Sequence, residues 1–103
     1  MREVLMPAPT VTYPPFPGRI LFGPGCTNTW VLLVRLRLIV LGYSDETAPR
    51  HLERDRGLLR SQLWDDRLRE EYTRFQLDLG LRGEHAHGYP TPATWPMLWA
   101  PPQ

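Results

Sequence analysis

Prolines decide most of what this chain can become. All but Pro49 of its twelve prolines, with most of its eight glycines, crowd into residues 7 to 25 and 80 to 102. Each proline fixes φ and withdraws a backbone donor, so helices and central strands are discouraged there. Regular structure is thereby pushed to the middle of the chain, between two extended arms. A chain of 103 residues forms at most one domain with a modest core.

Within that middle, residues 58 to 79 carry the clearest pattern. Leu59, Leu63, Trp64, Leu68, Tyr72, Phe75 and Leu79 recur at steps that keep one stripe on a 3.6-residue period, which predicts an amphipathic helix. Asp65 and Arg69, Arg67 and Glu71, and Glu70 and Arg74 are each four apart, and such pairs add about 0.2–0.5 kcal/mol apiece on an exposed face. Gly80 supplies the left-handed residue that ends a helix. Upstream, Thr47 is a candidate cap and Pro49 a tolerated first-turn residue, so a helical section over Arg50 to Arg56 extends the same element from residue 50. Gly57 weakens the junction by about 1 kcal/mol.

The apolar run of residues 30 to 41 reads differently. Val34, Leu36, Leu38 and Val40 alternate with Arg35 and Arg37, a period of two that predicts a strand, with a helix as the open alternative. Ile20, Leu21 and Phe22, ended by Gly23, Pro24 and Gly25, form a shorter run that could pair with it as a hairpin. The longer run has twelve residues, short of the roughly 20 that span hydrocarbon, and its two arginines are costly there, so no membrane span is expected.

The expected fold is therefore mostly irregular. It has one principal amphipathic α-helix over about 58–79, a strand or hairpin at 19–41, and no large independent core. Residues 1–18 form a proline-rich extended arm, 19–43 an apolar strand-like segment, 44–80 a helical segment, and 81–103 an extended tail of prolines and aromatics. Tyr89, Trp95, Met97, Leu98 and Trp99 make that tail too apolar to remain solvated. Those rings either fold back on the helix stripe or fill pockets on a partner.

A formal charge of +1 gives no field of the kind nucleic acid requires, so nucleic acid is not an expected partner. Every basic residue is arginine, which favours forked contacts to carboxylates and carbonyls. The lone Cys26 excludes an internal disulfide and suits a reducing, cytoplasmic setting.

Three constellations could carry chemistry, and each has a plainer reading. His85 and His87 beside Glu84, with His51 and Cys26 distant, lack the paired spacing of a structural zinc site and read as a solvent-facing loop. Asp65, Asp66, Glu70 and Glu71 have arginine neighbours, so they read as a salt-bridged face before an acid-base pair. Cys26 has no histidine near it in sequence. A non-enzymatic protein without cofactor or metal is the expectation. Tyr13 to Arg19, YPPFPGR, has the spacing of a proline-rich ligand in which Pro14 and Pro17 fill aromatic slots and Arg19 meets an acidic pocket, which makes an adaptor the alternative.

Residues 63 to 92, LWDDRLREEYTRFQLDLGLRGEHAHGYPTP, resemble the small microtubule inner proteins of cilia and sperm flagella. Several of these pair a short Arg- and Glu-rich helix opened by a tryptophan with a His-Gly-Tyr-Pro style loop and proline-punctuated aromatic arms. The resemblance implies a structural protein of the cytoskeleton, lying on the luminal wall of an axonemal microtubule with its arms between tubulin subunits. Its partner-binding residues would be the aromatic anchors Trp64, Tyr72, Phe75, Tyr89, Trp95 and Trp99 together with Leu68, while Arg67, Arg69 and Arg74 would meet tubulin carboxylates. A small self-contained domain that buries the same rings internally is the competing expectation.

Overall fold

Asn28 sets the first element. Its side-chain oxygen accepts from the Val31 amide at 3.0 Å and its side-chain nitrogen donates to the Leu21 carbonyl at 2.9 Å, so one residue caps a helix and fastens the preceding turn to it. The computed structural model describes residues 13–44 and 61–100. Its principal elements are α1 (Thr29–Val40), α2 (Asp66–Asp78) and a single-turn α3 (Trp95–Leu98), with 3-10 turns at Arg19–Leu21 and Gly83–His85. The chain is helical and irregular, and its described residues hold no strand longer than an isolated antiparallel bridge between Thr27 and Leu63.

The expected strand and hairpin at 19–41 do not form. Residues 19–21 close a 3-10 turn, and the run beyond Asn28 is α1, which buries Val31, Leu32, Val34, Arg35 and Leu38. Its leucines are good helix formers, and the two arginines account for the rest of the correction. On a strand they would share one solvent face. On the helix they diverge, and each ties α1 to a different segment. Arg35, 3 % exposed, donates from Nε to the Ser61 carbonyl at 3.1 Å and from Nη2 to the Leu63 carbonyl at 2.7 Å, with Asp65 at 3.5 Å. Arg37 donates to the Leu98 and Ala100 carbonyls at 3.0 and 2.8 Å and lies over the Trp99 ring.

The helix expected over 58–79 begins at Asp66, later than its pattern suggests. Residues 62–64 instead lie against 26–28, where the Asn28 amide donates to the Gln62 carbonyl and the Trp64 amide to the Cys26 carbonyl. Asp65 then accepts from the Leu68 amide at 2.8 Å as the cap of α2. Thr47, Pro49, the section from Arg50 to Arg56 and residues 57–60 lie outside the described residues. Both long helices end alike. Gly42 and Gly80 take φ of +91° and +97°, and the amides after them, Tyr43 and Leu81, reach back to the carbonyls of Leu38 and Gln76.

The tail folds back instead of extending. Pro96 sits in the first turn of α3, where its missing donor costs nothing, and Trp95 and Leu98 enter a core shared with Phe22, Val31, Val34, Leu38, Trp64, Leu68, Tyr72 and Phe75. Every described segment of the chain contributes to that core. One buried pair joins two segments: the Tyr72 hydroxyl meets the Thr94 hydroxyl at 2.7 Å, and burial holds the Tyr72 phenol well above its ordinary pKa. Tyr43, donating to Asp78 at 2.7 Å, has its phenol pushed up to about 12 by burial, by that hydrogen bond and by the Asp78 charge. No helix among the described residues is long and apolar enough to cross a membrane.

Candidate functional site

Of the residues expected to anchor a partner, five are core residues of the chain itself. Trp64, Leu68, Tyr72, Phe75 and Trp95 are at most 3 % exposed, so the expectation that these side chains contact another molecule is corrected: packing inside the domain has taken their surface. Tyr89 and Trp99 are half-buried against that core. Arg67, Arg69 and Arg74 stay exposed on α2.

The exposed arginines are held in different ways. Arg67 pairs with Glu71 at 3.4 Å, the one expected i,i+4 pair that forms as such. Asp65 is used as a helix cap and faces Arg35, while Arg74 donates to the Tyr43 carbonyl at 2.7 Å. Arg69 donates from Nε to the His87 carbonyl at 3.1 Å, and its guanidinium carbon lies 4.9 Å from the centre of the Tyr89 ring.

Tyr89 gathers a second arginine from a distant part of the sequence. Arg19 lies 4.2 Å from the same ring centre and donates to the Phe22 carbonyl at 2.7 Å. Trp64 stacks on Tyr89 at 5.5 Å and His87 tilts beside it at 5.7 Å. Two guanidiniums therefore share one aromatic ring, and among the described residues no carboxylate closes on either. Next to this cluster an open groove of about 540 Å³ runs along Arg69, Thr73 and His87, with Asp66 and Glu70 on its acidic side.

The loop carrying His87 and Tyr89 is gripped by Gln76, a residue the sequence did not single out. Its side chain accepts from the Gly88 amide at 2.7 Å and donates to the Tyr89 carbonyl at 3.1 Å, with no exposed surface of its own. A glutamine on the apolar side of the α2 stripe was the available signal. His85 and His87 do not converge as ligands. His85 is exposed near Glu84 at 4.0 Å, whereas His87 Nδ1 accepts from the Tyr89 amide at 3.1 Å.

That environment lowers the His87 pKa from its ordinary value of 6.5, first through burial, then through the charges of Arg19, Arg69 and His85. A depressed folded-state pKa means that the unfolded chain takes up the proton first, so the contribution of His87 is present above its ordinary value and is lost as pH falls through the folded one. The urea midpoint of the wild type is expected to drop between about pH 7.5 and pH 5 by more than that of His87→Asn, which keeps an acceptor but cannot be protonated. Parallel curves for the two proteins would refute this. No family model matches the chain, and neither curated proteins nor solved structures include a match to it.

Proposed function

We propose that the protein is a non-enzymatic interaction protein that docks, already folded, on an acidic protein surface. The observation that carries this reading is the Arg19–Tyr89–Arg69 arrangement, in which two guanidiniums are held over one ring with no acid of the described chain closing on them. Each guanidinium lies against the ring without a carboxylate partner among the described residues, and a carboxylate arriving from outside supplies forked hydrogen bonds. Arg67 and Arg74 lie about half a turn around α2 from Arg69, beside Tyr43, and are not part of this arrangement.

The partner we favour is polymerised tubulin in the axoneme of cilia or flagella, on the strength of the resemblance of residues 63–92 to microtubule inner proteins. The localisation that follows is cytoplasmic, on the cytoskeleton. In this reading the aromatic rings stabilise the domain and the arginines make the contact. The adaptor alternative, with Tyr13 to Arg19 offered to a polyproline-reading domain, has to compete with the fold, because the Pro14 carbonyl and the Arg19 guanidinium already have partners.

Co-pelleting with polymerised tubulin at low salt tests the proposal. The wild type is expected to pellet and to be released as salt rises, and the double charge reversal Arg19→Glu with Arg69→Glu is expected to weaken binding about tenfold or more, equivalent to about 1.4 kcal/mol. Wild-type protein that stays in the supernatant, or a folded variant that pellets equally well, would overturn it.

A further inference from the structure

Residues 13–17 lie on the domain without helix or strand, with Tyr13 and Pro15 facing solvent while Pro14, Phe16 and Pro17 are half-buried. Phe16 is seated edge-on to Trp95 at 5.4 Å and stacked on Phe22 at 6.1 Å. The Trp95 indole Nε1–H donates to the Pro14 carbonyl at 2.7 Å, across 81 positions of sequence, and among the described residues this is the sole hydrogen bond joining 13–17 to the rest. Trp30 and Trp99 flank Trp95 at 6.0 and 5.5 Å. Aromatic slots with an indole donor set against a free backbone carbonyl are the chemistry by which proline-rich segments are read, since such a segment keeps its carbonyls unused and is stiff before it binds.

We propose that the aromatic surface of Phe22 and Trp95, with Trp30 and Trp99 packed beside Trp95, is a reader of proline-rich segments, that residues 14–17 cover it in cis, and that its partner is a Pro-x-Phe segment of another protein. This inference does not use the Arg19–Arg69 surface and stands or falls apart from it.

Two further observations point to exchange of the occupant. The Trp99 Nε1–H is buried without an acceptor among the described residues, although its neighbour Trp95 has one. A buried donor without a partner is unfavourable, and this one belongs to the ring next to Trp95. Gly18, at the base of the arm, has φ of +120° and no atom within 4 Å of where a Cβ would stand, so the arm is joined through a glycine that can pivot. A tethered arm acts at an effective concentration of about a millimolar, and an external ligand binds weakly until the arm is loosened.

The test uses the full chain and a labelled synthetic peptide of residues 10–19, TVTYPPFPGR. Phe16→Ala, which removes the ring that seats the arm, is expected to bind the peptide at least about tenfold more tightly than the wild type. Adding Trp95→Phe, which keeps a ring but deletes the donor, is expected to abolish the gain. Should Phe16→Ala fail to fold, titrating the wild type to millimolar peptide is expected to shift the Trp95 indole proton resonance. A folded Phe16→Ala that gains nothing, a gain indifferent to Trp95→Phe, or a wild-type indole resonance that stays still each overturns the proposal. Concentration-dependent dimers that trade arms between copies also overturn it, because the occupant would then be a second copy of this chain.

Discussion

Replacing Gly88 by alanine is expected to destabilise the domain by about 2–5 kcal/mol, out of all proportion to one added methyl group. Two effects combine. Gly88 has φ of +90°, where an L side chain costs about 1–2 kcal/mol. Its Cβ would also stand 2.5 Å from Arg69 Cγ, 2.6 Å from Thr73 Oγ1 and 2.8 Å from the Arg69 carbonyl oxygen. Arg69 Cγ belongs to a flexible side chain and can move, but the carbonyl belongs to the α2 backbone and cannot. The loop must therefore lift, and the bonds from Gln76 to the Gly88 amide and the Tyr89 carbonyl are stretched with it. Gly42→Ala is the matched control, since its φ of +91° is similar but nothing lies within 4 Å of the new atom. It is expected to cost only the backbone part, about 1–2 kcal/mol. Urea midpoints for the two variants and the wild type settle the matter, and equal losses would show that the close approach of the loop to α2 contributes nothing.

The same loop explains what could and could not be read from the sequence. The stripe from Leu68 through Tyr72 to Phe75 and the stop at Gly80 are local properties, because the periodicity and the left-handed residue lie within one turn of the structure they specify. The start of α2 is not local. Leu59, Leu63 and Trp64 continue the helical period, yet residues 62–64 pair with 26–28 and Arg35 takes the carbonyls of Ser61 and Leu63. A side chain 26 residues away decided where the helix begins, and no window around residue 63 contains it.

The helical run at 30–41 hides its period for a related reason. A helix apolar on nearly every side has little amphipathic signal, and the alternation of Arg35 and Arg37 with aliphatic residues imitates a period of two. Asn28 was the clue, as a cap placed directly before the run. The candidate site was legible in part. The sequence marks Arg69 as partner-facing, but its pairing with Arg19 around Tyr89 depends on the tail folding back over α2, and the sequence alone does not decide whether the tail rings turn inward or outward.

They turn inward, and Trp95→Ala is the substitution that measures how much depends on it. Trp95 is 1 % exposed and its ring contacts those of Phe16, Phe22, Trp30 and Trp99, so it joins the arm, the turn before α1, α1 itself and α3 at one point. Removing a buried tryptophan costs about 3–5 kcal/mol through lost transfer energy and the cavity left behind. The Pro14 carbonyl loses its donor as well. Small domains hold only about 5–15 kcal/mol in total, so the variant is expected to lose most of its cooperative melt near physiological temperature and to show collapsed amide dispersion. Met97→Ala is the comparison within the same turn of α3: the side chain is 48 % exposed, and the expected change is within about 0.5 kcal/mol. A wild type without a cooperative melt, or a Trp95→Ala that melts like the wild type, would mean that the rings find their apolar surroundings on a partner after all, and that the domain is completed only on the surface it binds.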